Sequence, residues 1–397
     1  MTRLGAQVDL EGLGFEHGAH LLVRRALSAV PVGGDVTVAG RDPALAVHLR
    51  AWCRAEGHRL LVDEYGGLTV TRGGRGTARW TGAERAGSAA PGVVEGRADP
   101  TWGLAARGAL VEPGGPAGPF DLVERDIVWA DIAPRLYAHA AAAQWDPATA
   151  VDWDEGVELS ADVEAAVVQV MTYLVENEQA AIVVPARLLA RVHPHFREVQ
   201  QLLAVQAADE ARHMEVFTRR ALLRGGELGT SSVGGRASLT SLLSEPDFTL
   251  ASFLLSVLGE GSFLDLLAFL SQHAPDPVTR AITKLARVDE ARHVAFGVAH
   301  LEHQAERDPT LRGRLRAAVE RRHDVLVDTA GLNADVLDSL VLLAAGSWTP
   351  AGIARGHAAV TALHDAMDEG RRQRLARLGF PPDEARELSA LHTRNFM

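Results

Sequence analysis

The word Asp-Glu-Ala-Arg-His occurs twice in this 397-residue sequence, at Asp209–His213 and Asp289–His293, each time deep inside a long stretch of helical periodicity. Positions three apart share one face of a helix, so Glu210 with His213 and Glu290 with His293 each aim a carboxylate and an imidazole the same way. The first face continues through Leu203, Gln206 and Phe217, the second through Ala286, Val294 and Gly297. Both pairs therefore lie on or beside apolar stripes, where unpaired carboxylates are costly to bury and call for cations.

The helical stretch before each word supplies one more inward acid. In the first, Val167, Met171, Leu174, Val175 and Ile182 form a stripe that contains Glu178, while Glu176 aligns with Gln169, Thr172 and Tyr173. Glu178 is the choice and Glu176 the alternative. In the third, Glu260 is the lone acid among Phe253, Val257, Phe263, Leu264 and Leu267, with Gly259 and Gly261 leaving space beside it. The spacing repeats: 32 residues separate Glu178 from Glu210, and 30 separate Glu260 from Glu290. Four carboxylates balance two divalent ions with both imidazoles neutral, and mixed oxygen and nitrogen donors suit iron or manganese.

A Glu from each of two helices with Glu-x-x-His from two others is similar to the ligand set of ferritin-like di-iron and di-manganese proteins. The Asp-Glu-x-Arg-His form resembles the oxygen-activating branch of that superfamily: soluble desaturases, bacterial multicomponent monooxygenases and ribonucleotide reductase small subunits. The resemblance covers about residues 120–397 and implies a metal site of Glu178, Glu210, His213, Glu260, Glu290 and His293. It further implies that Asp209 and Asp289 each accept a hydrogen bond from the histidine of the other half, with Arg212 and Arg292 holding the aspartates. Three positions depart from those relatives. Phe217 stands where reductase subunits carry a radical tyrosine, Phe263 and Leu264 where monooxygenases carry a threonine, and Ala286 where arylamine N-oxygenases carry an extra histidine.

The elements that must position this set follow from periodicity. Helices are predicted at about 160–192, 196–224, 248–272, 277–305, 309–329, 333–346 and 350–378. The expected fold is mainly α, a ferritin-like four-helix bundle over 120–397 with extra C-terminal helices, preceded by a small α+β domain. That domain, residues 1–72, alternates strand and helix signals in the order β-α-β-α-β-β. Its order and the phrases VRRAL and VAGRDPA resemble the TusA-like sulfur-carrier family, whose working cysteine starts the first helix. Here that region reads Gly14, Phe15, Glu16, His17, and the single cysteine, Cys53, lies in the second helix. The resemblance thus implies a retained fold without sulfur transfer. Residues 73–119 are rich in Gly, Ala and Pro without sustained period and read as a linker or a loosely packed excursion, with Trp80 and Trp102 suggesting that parts of it lie against a neighbouring domain.

A net charge of −11 gives no electrostatic footprint for nucleic acid or anionic lipid. One cysteine excludes a disulfide framework and suits a reducing compartment; with no signal-peptide pattern at the N-terminus, a cytoplasmic location is expected. The apolar stretch Phe248–Leu270 has the length of a membrane span, but Glu260 and Asp265 would be costly in lipid, so a buried bundle helix is expected. His193, His195, His300 and His303 are read as surface or packing residues. The functional expectation is an O2-activating di-iron oxidase or monooxygenase, with manganese as an alternative metal. It would act on a small organic substrate, for instance in biosynthetic hydroxylation or N-oxygenation. Electrons would come from an external reductase, since no flavin, nicotinamide or iron–sulfur motif is present; a homodimer is compatible with all of this. The rival expectations are an iron-handling ferroxidase or storage protein and a structural or sensor bundle.

Overall fold

The computed structural model describes residues 6–74, 79–155, 158–327 and 334–395. The chain divides into two compact units, Met1–Ala89 with Ala105–Pro116, and Ala90–Leu104 with Ala117–Met397.

In the smaller unit, β1 (Ala6–Asp9), α1 (Ala19–Ser28), β2 (Asp35–Ala39), α2 (Leu45–Glu56), β3 (Arg59–Val62) and β4 (Leu68–Thr71) follow in that order. The sheet order is β1-β2-β4-β3, with β1 parallel to β2 and β4 antiparallel to both its neighbours. Period-two burial of Val36, Val38, Leu68 and Val70 meets the i, i+4 stripes Ala19, Val23, Leu27 and Leu45, Leu49, Cys53. Cys53 is therefore a core residue, its thiol pushed up to about 11 by burial, and offers no nucleophile.

Residues 73–119, expected as a linker, contribute to both units. β5 (Glu84–Arg85) pairs with β6 (Leu110–Val111) in the smaller unit, whereas Ala90–Leu104 belongs to the larger, where Ala98 is fully buried and its amide donates to Val123 O at 2.8 Å. Two-residue strands are too short to show alternation among so many glycines and prolines, so periodicity could not reveal them.

The larger unit is helical: α3 (Arg125–Val128), α4 (Ala133–Ala142), α5 (Ala161–Leu189), α6 (Arg197–Leu222), α7 (Val233–Leu243), α8 (Phe248–His273), α9 (Pro277–Ala305), α10 (Leu311–Leu326), α11 (Ala334–Ala345), α12 (Pro350–Arg377) and α13 (Pro382–Asn395). Helices α5, α6, α8 and α9 form a four-helix bundle, with α5 packed along α6 and α8 along α9. Their starts are chemically marked. Asp162 and Glu164 complement the dipole in the first turn of α5. Asp247 accepts from the Leu250 amide at 2.9 Å, and Asp276 from that of Thr279 at 2.7 Å with Pro277 in the first turn. Helix α8 is long and apolar enough to cross a membrane, yet 72% of its most apolar window is buried inside the protein. It is not α-helical throughout, since Phe253–Glu260 is a π-helix. The predicted ends at 329 and 333 lie outside the described residues.

The bundle interior is filled by two separate apolar clusters. On α5 one ends at Val175 and the other begins at Ala181; on α6 the gap runs from Leu203 to Val216, on α8 from Leu258 to Leu266, and on α9 from Ala286 to Val294. Glu178, Glu210, His213, Glu260, Glu290 and His293 all fall in these gaps. They form a polar layer across the bundle between two apolar ones.

Candidate metal centre

All six residues of that layer are buried, none more than 5% exposed. They converge as two overlapping groups, Glu178, Glu210, His213 and Glu290, and Glu210, Glu260, Glu290 and His293, the donor atoms within each lying within 4.8 Å of one another. Glu210 and Glu290 belong to both, which is the geometry of carboxylates shared between two cations, whereas Glu178 with His213 and Glu260 with His293 each belong to one. Glu176, the alternative on α5, is half-buried and outside both groups, on the wall of a neighbouring cavity.

Each imidazole presents Nδ1 to the carboxylates. His213 Nδ1 lies 2.9 Å from Glu210 Oε2, 3.4 Å from Glu290 Oε1 and 3.7 Å from Glu178 Oε2; His293 Nδ1 lies 2.9 Å from Glu210 Oε1 and 3.4 Å from Glu290 Oε2. The Nε2 atoms face outward and cross between halves, His213 to Asp289 Oδ2 at 3.1 Å and His293 to Asp209 Oδ2 at 3.2 Å. A proton held on Nε2 by an aspartate leaves the Nδ1 lone pair free for a cation. Arg212 donates to Asp209, and to Asp289 at 3.4 Å; Arg292 donates to Asp289, and to Asp209 at 3.3 Å. Both aspartates are held below the ordinary carboxylate range: burial opposes this and is outweighed, chiefly by the histidine hydrogen bonds.

Four residues not foreseen from the pattern complete the surroundings. Gln144 Nε2 donates to Asp209 at 3.0 Å, and Trp145 Nε1 donates to Asp289 Oδ2 at 2.8 Å with its ring stacked on His213, centroids 6.3 Å apart. Both follow α4, outside the four bundle helices, in an alanine-rich stretch with no readable period. Gln206 Nε2 donates to Glu260 Oε1 at 3.0 Å, and Ser256 also hydrogen-bonds Glu260. Gln206 lies one turn before Glu210 on the same stripe, which is a signal for it. His193, His195 and His300 are buried elsewhere, the last with Nδ1 3.0 Å from Trp129 O.

The residues fit a pair of cations. Glu178 Oε1 and Glu260 Oε2 are buried without a hydrogen-bond partner, an expensive state for carboxylates that cations relieve. Without ions, burial first, then the Glu210 charge, drives Glu178 well above the ordinary carboxyl range; burial, then Glu290, does the same for Glu260. For His213 and His293, burial disfavours the charged ring but is outweighed by the surrounding carboxylates, which raise both well above ordinary imidazole values. In an ion-free chain, protons on these groups would offset part of the carboxylate charge.

Beside the polar layer lies a cavity of about 90 Å³ whose wall includes Glu178, Glu260 and Glu290 at one side and Leu254, Leu255 and Phe263 among its apolar residues. Its wall also includes Ser238 of α7, Arg322 of α10 and His392 of α13, and neither aspartate.

No protein-family model matches the sequence, and no curated protein sequence matches it. Among solved structures, it is similar to an R2-like ligand-binding oxidase with an aerobically reconstituted metal cofactor, at 16% identity and a TM-score of 0.44, over 68% of this chain and 95% of that one. A variant of such an oxidase with a manganese–iron cofactor gives 16%, 0.44, 68% and 96%. An R2-like ligand-binding oxidase from Sulfolobus acidocaldarius gives 18%, 0.41, 64% and 94%. At such identities and scores a likeness transfers no activity, and the chemistry of this centre rests on its own geometry.

Proposed function

We propose that Glu178, Glu210, His213, Glu260, Glu290 and His293 hold two metal ions, iron in both positions or manganese with iron, and that the loaded protein is an O2-activating oxidase of a small organic substrate. The observation that carries this is the buried convergence of four carboxylates and two outward-pinned imidazoles, with Glu210 and Glu290 common to both groups. Bound, the ions supply the electrons and Lewis acidity for reducing dioxygen.

The chain's own residues do the rest. Asp209 and Asp289 keep the Nε2 protons of His293 and His213, so both rings stay oriented with Nδ1 toward the ions. Trp145 and Gln144 hold those aspartates from outside the bundle. Leu254, Leu255 and Phe263 line the cavity and exclude water from chemistry at Glu178, Glu260 and Glu290. The cavity is smaller than the roughly 150 Å³ space that admits benzene in a dry protein interior, so it suits a small substrate group or the tip of a longer one. Hydroxylation or N-oxygenation is the proposed use, with reducing equivalents from a separate reductase.

Aerobic addition of ferrous iron to metal-free protein should saturate at about two ions per chain, without mineral growth. Glu210→Ala or Glu290→Ala, each removing a carboxylate common to both groups, should abolish iron-dependent oxygen consumption. Continued oxidation to tens of ions per chain would replace this reading with iron storage.

A further inference from the structure

Helix α8 changes pitch immediately beside Glu260. The Phe253 amide still reaches four residues back, to Thr249 O, but Phe253–Glu260 has π pitch and at its end the Gly261 amide reaches five back, to Ser256 O. From Gly261 on the helix is α-helical, and an α-helical bond from the next amide, that of Ser262, reaches Leu258. The carbonyl passed over is that of Val257, a residue with no exposed surface. A buried carbonyl in this position needs a donor from elsewhere.

Arg374 of α12 supplies it, Nε donating to Val257 O at 2.8 Å. Gly261 makes the room: a Cβ there would lie 2.5 Å from Arg374 Cζ and Nε. Asp265, one turn further along α8, supplies opposing charge to this guanidinium, which burial nonetheless pushes down to about 10. One turn earlier on α12, Arg371 donates to Ser262 Oγ at 3.1 Å, and that hydroxyl donates to Leu258 O at 2.8 Å. Two arginines of a helix outside the four-helix set, Arg371 fully buried and Arg374 partly so, thus grip the junction where the pitch changes.

We propose that Arg374 is a positioning residue for the metal centre, holding the π-to-α junction at Val257 and thereby the direction in which Glu260 points. This rests on the dinuclear reading above. Without the donor, the unpaired buried carbonyl regains a partner when the segment reverts to α pitch, which turns the downstream residues by about 100° for the one residue of register. Glu260 would then leave the cluster. It belongs to only one of the two ligand groups, with His293, so the loss is one-sided.

The test is anaerobic ferrous-iron binding to the metal-free full-length chain, by equilibrium dialysis and metal analysis, in Arg374→Met, Arg374→Gln and Gly261→Ala. Methionine matches the arginine stem without a donor; glutamine places an amide nitrogen the same number of bonds from Cα as Nε, without the charge. Arg374→Met should bind its first ion as the wild type does and its second about ten- to a hundredfold more weakly, whereas Arg374→Gln should bind two normally. Gly261→Ala, which displaces the guanidinium rather than removing it, should share the one-ion defect and decides the matter if Arg374→Met does not fold. A general structural role would weaken both ions, and glutamine would not rescue it. Two normal ions in Arg374→Met or in Gly261→Ala, or a glutamine variant as defective as methionine, would overturn the proposal. A wild-type chain that binds fewer than two ions instead overturns the dinuclear reading and this inference with it.

Discussion

Glu178, Glu260, His213 and His293 all bind protons more tightly in the metal-free fold than an unfolded chain would. A raised group stabilises the fold fully below its unfolded pKa and loses that contribution as pH climbs through its folded value; Glu210, held low mainly by the two histidines against its burial, acts in the opposite sense, losing its contribution on acidification. Metal-free protein should therefore melt at progressively lower temperature as pH rises between about 5 and 8, while loaded protein should not, because cations occupy the places of those protons. Thermal melts of chelator-treated and iron-loaded chains across that range would check this, and a metal-free melting temperature that rises with pH would contradict it. At this scale much of the site is legible in the sequence: two DEARH words, and a stripe that separates Glu178 from Glu176. Gln144 and Trp145 are not, because they reach the aspartates from a segment whose alanines contrast with nothing.

Among the elements, the long helices are readable because their apolar stripes repeat over many turns, and seven expected segments match α5, α6, α8, α9, α10, α11 and α12 to within a few residues. The three helices of ten or more residues that periodicity did not reveal, α4, α7 and α13, are short and rich in alanine, glycine and serine, or follow a proline pair. The π segment is illegible for a different reason: a run in which nearly every residue is apolar carries no period, so an extra residue per turn leaves no trace. Its packing does leave one. Gly297 of α9 faces it, and a Cβ there would lie 2.5 Å from Ser256 Cβ. Gly297→Ala should therefore cost about 1–3 kcal/mol through overpacking despite alanine's better helix propensity. By contrast, Gly313→Ala on α10, with nothing within 4 Å of the added atom, should be neutral or gain up to about 1 kcal/mol. Denaturant melts of the two variants would separate these outcomes, and equal stabilities would show that the close approach of α9 to the π segment is not tight.

For the molecule as a whole, the division into a small α+β unit and a large helical one has partly legible boundaries, since the glycine-rich passage between them lends a strand pair to the smaller unit and a buried residue, Ala98, to the larger. The layering of the bundle carries a further implication for how it breathes. Two apolar slabs, each cohesive by its own side-chain packing, are joined across a buried polar seam whose cohesion depends on charge neutralisation. Stripped of ions, the seam should be the first part to open, with backbone amides around Glu178, Glu210, Glu260 and Glu290 exchanging with deuterated solvent well before those around Leu174, Phe196, Leu267 or Leu301. With ions bound, exchange at the seam should slow to the pace of the slabs. Protection that is uniform along all four helices in the chelated protein would mean that the slabs and the seam open as one body, and the ions would then be guests of an already rigid scaffold.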